Sequence, residues 1–164
     1  MRKIWLLLGM AVLLSGCAKE DSIKPETRRE EVPDPMVEVE GAQAFAKVGA
    51  DIEAPAGAED AKYFMIADQI AEIQFTQNGV QYSYRAARAK ENVTGMQTET
   101  QELEAVRAVV GSCEIPIQIA GSSYVAIWKW GEISYGLITR DSVDGGVMKS
   151  LVEELARETM PAQL

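Results

Sequence analysis

The chain has 164 residues, with 16 basic and 25 acidic side chains, a formal net charge of −9 and no histidine. The missing histidine excludes Ser-His-Asp and Cys-His catalysis, HExxH metalloprotease sites and nearly all zinc sites. Carboxylate-only chemistry and metal sites built from oxygen ligands remain open, while the acidic balance repels phosphate backbones and argues against nucleic acid as a partner.

Met1-Arg2-Lys3 precedes an apolar run from Ile4 to Leu14, and the run ends in Leu14-Ser15-Gly16-Cys17. A positive segment, a short apolar segment and a small-residue cleavage site ending in cysteine form the pattern of a bacterial lipoprotein signal peptide. The run is shorter than the ~20 apolar residues that a bilayer span needs. Leu14, Ser15 and Gly16 are expected to be read by the signal peptidase. The Cys17 thiol is expected to take a diacylglyceryl group as a thioether and to become the new N-terminus. Two acyl chains, palmitate among the candidates, anchor a protein where one chain binds only marginally. The competing reading is an ordinary secretory signal that contains a cysteine. Ala18 is not aspartate, which favours the outer membrane in a cell with two membranes. In a cell with one, the expected address is the outer face of the plasma membrane.

Removal of residues 1–16 takes Arg2 and Lys3 with it, changes the charge to −11 and leaves 148 residues, enough for one domain with a core. Cys113 is then the sole cysteine not lipidated, so no intramolecular disulfide is expected. It lies in an apolar stretch and reads as a small buried hydrophobe. Residues 17–36 read as the lipidated cysteine and a disordered tether, with Pro25, Pro33, Pro35, mixed charges and few apolar side chains. A flexible coil of about 20 residues spans roughly 25 Å on average. Lys19, Lys24, Arg28 and Arg29 alternate with acids, so the tether is not a polybasic lipid-binding patch.

Residues 37–164 read as a single α+β domain. Gly41 to Val48 predicts a short helix ended by Gly49. Asp51 to Asp60 reads as extended chain and turn. Strands follow at Tyr63–Ile66, Ile70–Thr76 and Val80–Ala86, the last two joined by Asn78-Gly79, whose residues both accept positive φ. Ile73, Phe75, Val80, Tyr82 and Tyr84 alternate as one inward face. Residues 88–101 are polar and read as a loop. Four more strands are predicted at Leu103–Val110, Glu114–Ala120, Tyr124–Trp130 and Ile133–Thr139, punctuated by Gly111-Ser112, Gly121-Ser122 and Gly131. A helix from about Asp144 to Thr159 carries Met148, Leu151, Val152 and Leu155 at core-facing spacing, with Ser142 or Asp144 as its cap. Strands on short turns pair antiparallel, and an apolar sheet face needs a cover. The expected fold is α+β: an antiparallel sheet of six to seven strands, a short N-terminal helix and a C-terminal helix packed on one face. The two strand clusters form either one sheet or two.

This arrangement resembles a group of uncharacterised lipoproteins and exported proteins of Gram-positive anaerobes that carry a small α+β domain of unknown function. The resemblance spans residues 37–158. It rests on the helix ended by Gly49, on Asp51-Ile52-Glu53-Ala54-Pro55, on Tyr82-Ser83-Tyr84-Arg85, on the turn Glu91-Asn92-Val93-Thr94-Gly95, and on Trp128 followed by Tyr135. In the relatives that turn usually reads Glu-Asp-Ile-Ser-Gly. The resemblance implies the fold and the envelope address, and no activity.

Several groups are candidates for chemistry. Trp128 and Trp130, two apart on one strand and joined by Tyr124 and Tyr135, make either a stacking platform for planar ligands such as sugar rings or part of the core, and the core is favoured. Arg85 and Arg88, with Lys90, make either an anion site or edge-strand charges that discourage sheet association, and the edge role is favoured. Asp141 and Asp144 read as cap and turn residues rather than calcium ligands. Glu102 and Glu104 read as a solvated face, and Asn92-Val93-Thr94 as a glycosylation sequon without consequence in a bacterial envelope. No catalytic residue, metal ligand or cofactor is expected. The function expected is that of a membrane-anchored, non-catalytic extracytoplasmic module that binds an envelope ligand or protein. A structural or regulatory envelope accessory comes next, and a carboxylate-based glycan hydrolase last.

Overall fold

A computed structural model describes residues 35–88, 90–96 and 100–160, with the side chains of residues 100–105 left aside. Leu14, Ser15, Gly16, Cys17 and the tether up to residue 34 lie outside the described residues, as do the side chains of Glu102 and Glu104.

The chain builds one antiparallel sheet of eight strands: β1 Met36–Val39, β2 Glu59–Ile66, β3 Ile70–Gln77, β4 Val80–Arg88, β5 Thr100–Val110, β6 Cys113–Ala120, β7 Ser123–Trp130 and β8 Ile133–Thr139. A 3-10 helix, Ala42–Val48, follows β1, and the α-helix α1, Gly145–Thr159, follows β8. The α+β class, the antiparallel sheet and the C-terminal helix agree with the sequence. The strand number does not. β1 adds a strand where the tether was expected to end, because Met36-Val37-Glu38-Val39 pairs with Tyr63–Ile66 of β2. The two expected strand clusters are halves of one sheet.

The strands lie in the order β1-β2-β3-β4-β8-β7-β6-β5. Two four-stranded meanders therefore meet at β4 and β8, whose central residues Arg85 and Gly136 are register partners. Tight turns close most hairpins. Gln77 pairs with Val80 around Asn78-Gly79, both at positive φ, the geometry of the turn that suits twisted strands. Gly-Ser and Gly-Glu pairs join β5 to β6, β6 to β7 and β7 to β8 in the same two-residue fashion. The turn from β2 to β3 departs from type: Ala67 and Asp68 both stand at positive φ, and the Gln69 N–H donates to the Ile66 carbonyl at 3.0 Å.

Alternation sorts the side chains onto two faces. Ile73, Phe75, Tyr82, Tyr84, Ile115, Ile117, Ala126, Trp128 and Leu137 point to one face and are buried. That face holds the core. α1 lies across β5, β6 and β7 and contributes Met148, Leu151, Val152, Leu155 and Ala156. Phe45 of the 3-10 helix, with Ala50 and Ile52, belongs to the same core. Asp144 caps α1 through Oδ1, which accepts from the Gly146 N–H at 2.8 Å. α1 also protects the edge of the sheet: Glu153 Oε1 accepts from the Val109 N–H of β5 at 3.0 Å, and occupied edge donors do not template a foreign strand.

Candidate functional site

Among the described residues no helix covers the second face of the sheet. Its central residues follow from the hairpin around Asn78-Gly79, which sets Glu72 opposite Arg85 and Gln74 opposite Ser83. Glu72 is 1% exposed, and a buried carboxylate is tolerated only when its oxygens are paired. Both are. Oε2 accepts from Arg85 Nε at 2.8 Å, and Oε1 accepts from Gln74 Nε2 at 2.8 Å. Arg85 retains 21% exposure of its side chain.

The segment from Lys90 to Met96 crosses this face and locks the pair in place. Arg85 Nη1 donates to the Thr94 carbonyl. Asn92 shapes the crossing: its Oδ1 accepts from the Thr94 N–H at 3.1 Å and the Thr94 hydroxyl at 2.6 Å, and its Nδ2 donates to the Met96 carbonyl at 2.7 Å. Val93 is fully buried with Ile66, Ile70 and Ala87. The segment can sit this low because position 136 is glycine. A Cβ there would lie 2.9 Å from both Val93 Cγ1 and Thr94 Cγ2, closer than carbon atoms pack. The middle of the expected loop is a loop, with Val93 and Thr94 buried as a latch, while its ends are corrected: Arg88 belongs to β4, and Thr100 and Gln101 to β5.

Beside the latch the face opens into a groove of about 650 Å³. Gln74, Thr76, Gln81 and Ser83 line it, with Lys62, Arg85 and Arg140 as cations and Asp60, Glu72 and Asp141 as acids. Met36, Met96 and Ile138 supply apolar walls. Asp141 is tied into the rim, where Oδ2 accepts from the Gln81 N–H at 2.8 Å. The cap role expected of the pair falls to Asp144, while the Asp141 carboxylate instead ties β4 to the chain after β8. Among the described residues no group of three or more acids or cysteines stands together as a metal site.

The aromatic group lies on the opposite, covered face. Trp128 is 4% exposed and Tyr135 6% exposed. Trp128 stacks between Tyr84, with ring centroids 5.9 Å apart, and Tyr135, at 5.7 Å. Its indole N–H donates to Thr159 Oγ1 of α1 at 3.0 Å. Trp128 and Tyr135 therefore lie in the core, the reading the sequence favoured, and not on an exposed platform. Tyr124 is half-buried against the same core. Trp130 stays exposed, at the end of β7. The Tyr84 hydroxyl is buried beside Thr159 of α1. Burial, with Tyr135 and Glu158 adding to it, holds that hydroxyl well above the usual tyrosine range.

The basic group is also divided. Arg85 and Arg88 are three apart on a strand and so point to opposite faces. Arg88 leaves the groove, lies over Gly49 and pairs with Glu132 at 2.5 Å, both side chains being exposed. The edge-charge reading is corrected as well, because β4 is the fourth of eight strands. Cys113 is half-buried and packs against the core.

Sequence reasoning missed Glu72, Gln74, Gln81 and Ser83, although two signals were available. Counting outward from Asn78-Gly79 puts Glu72 across from Arg85, and a glycine in mid-strand at 136 marks close approach of other chain. Among the described residues no helix is long and apolar enough to cross a membrane. No protein-family model, curated protein or solved structure matches the chain.

Proposed function

We propose that the protein is a lipid-anchored envelope protein whose folded region is a non-catalytic binding module, with the groove on the open sheet face as its ligand site. The observation that carries the anchor is Leu14-Ser15-Gly16-Cys17 directly behind Arg2-Lys3 and the apolar run. The groove supports the binding role, since a concave site with convergent polar groups on a rigid sheet is the usual form of a small-ligand site. The non-catalytic reading is supported at Glu72. Both its oxygens are engaged, whereas a general acid or base needs an oxygen within reach of substrate.

We carry the resemblance to exported proteins of Gram-positive anaerobes as part of this proposal. Asn92 and aspartate both accept through Oδ1, Val93 and isoleucine both fill the apolar seat, and Thr94 and serine both carry the hydroxyl. Asn92 also donates through Nδ2 to the Met96 carbonyl, which an aspartate cannot do, so Asp-Ile-Ser would keep only the accepting half of this geometry.

The anchor is tested in cells fed an alkyne-tagged fatty acid. Wild type is expected to carry the tag and to sediment with membranes. Cys17→Ala is expected to lose the tag and to keep its signal peptide. Equal tagging of both would contradict the proposal.

A further inference from the structure

We infer that the groove takes a neutral oligosaccharide, an inference that rests on the reading of the groove as the binding site. The first argument is charge. Lys62, Arg85 and Arg140 are matched one for one by Asp60, Glu72 and Asp141 along the lining, in a protein whose whole charge is −9. The lining as a whole thus has no formal net charge to draw an ion of either sign, and the surrounding field repels anions.

The second argument is hydrogen-bond type. Thr76 and Ser83 offer hydroxyls, and Gln74 and Gln81 offer side-chain amides, groups that both donate and accept. A sugar hydroxyl needs such two-way partners. Planar forks such as the Arg85 guanidinium span two neighbouring atoms, as adjacent ring hydroxyls require. Arg85 commits Nε to Glu72 and one Nη1 hydrogen to the Thr94 carbonyl, and has further N–H donors beyond those two. Because it is already held from two sides, little freedom is lost when a ligand binds it.

The third argument excludes a peptide strand. β3 is paired on both sides by β2 and β4, and β4 by β3 and β8. At the centre of the groove the main chain therefore has no ladder position left, so strand addition between β3 and β4 is closed and recognition there falls to side chains. Met36, Met96 and Ile138 complete the fit by offering apolar contact to the C–H faces of sugar rings.

The test uses the full chain in a detergent without a sugar headgroup. It is titrated with neutral tetramers of β-linked N-acetylglucosamine, β-linked glucose and α-linked glucose, then with tetragalacturonate and tetralysine. Backbone amide resonances of β3, β4 and β8 are followed. One neutral tetramer is expected to shift them saturably, with a dissociation constant of about 1 mM or tighter. Thr76→Ala combined with Gln81→Ala is expected to weaken that binding by about tenfold, and Trp130→Ala, on the other face, to leave it unchanged. Gln81→Ala alone is the second variant, because Gln81 is exposed and its loss leaves the fold intact. Silence with all three neutral tetramers at on the order of 10 mM would overturn the inference. Binding of a charged tetramer alone at the groove would overturn the ligand class and leave the binding site standing. Binding that ignores the groove variants would overturn both readings.

Discussion

At the scale of single residues, the account turns on Glu72 and Arg85. A carboxylate 1% exposed survives on two hydrogen bonds, so removing its cation costs far more than one hydrogen bond, because a buried charge is left unpaired. Arg85→Ala is expected to destabilise the fold by about 3 kcal/mol in a denaturant titration. Glu72→Leu with Arg85→Met is expected to regain most of that loss, because the buried charge leaves with its partner. A loss for the double variant as large as for the single one would show that the pair is not the cause. This pair was legible in the sequence through the Asn78-Gly79 turn, and so was the separation of Arg85 from Arg88, three residues apart on one strand. The burial of Trp128 was favoured from the sequence, but what covers it was not legible. Alternation puts it on the face of Trp130 but does not say that α1 covers that face at Trp128, where Thr159 receives its indole N–H.

At the scale of elements, turns and the latch carry the predictions. Ala67 adopts positive φ without the freedom of glycine or the side-chain oxygen of asparagine, a conformation that costs a residue with Cβ about 1–2 kcal/mol. Ala67→Gly is expected to raise stability by about 0.5–1 kcal/mol after the extra entropy of the unfolded glycine is offset. The measurement is a shift of the denaturation midpoint. Gly136→Ala acts in the opposite sense. It drives a methyl against Val93 and Thr94 and is expected to cost about 1–3 kcal/mol, with loss of amide-exchange protection at Thr94 before the rest of the sheet.

α1 brings a pH effect. Partial desolvation, together with Glu154 and Glu53, raises the carboxyl of the exposed Glu158 above the ordinary carboxylate range. A raised acid is less costly protonated, so this contribution favours the fold at low pH and fades as pH climbs from the unfolded value through the folded one. Glu158→Gln is expected to melt higher than wild type at pH 7, with the gap closing towards pH of about 4. An unchanged gap across that range would contradict the assignment. The C-terminal helix, its cap at Asp144 and seven of the strands were legible from period and punctuation. β1 was not, because four residues beside a proline-rich segment become a strand only through the β2 edge they meet.

At the scale of the whole molecule, one sheet divides two tasks. One face binds α1 and the 3-10 helix and supplies the core. The other keeps polar side chains in register, crossed by a latch that holds the central ion pair. Two meanders meeting at β4 and β8 make this possible, because the chain must cross from β4 to the far edge at β5, and residues 90–96 of that passage lie over the open face. The passage reads as a polar loop because Glu91 and Asn92 are exposed, while the burial of Val93 and Thr94 depends on the space left by Gly136.

The most direct test of the open face as the working surface is photo-crosslinking in intact cells. One arm carries benzoylphenylalanine in place of Gln81, in the groove, and the other in place of Lys149, on the outer side of α1. The account predicts adducts with envelope material from position 81, absent or far weaker from position 149. Adducts from position 149 alone would contradict it, and would move the binding surface to the helical side.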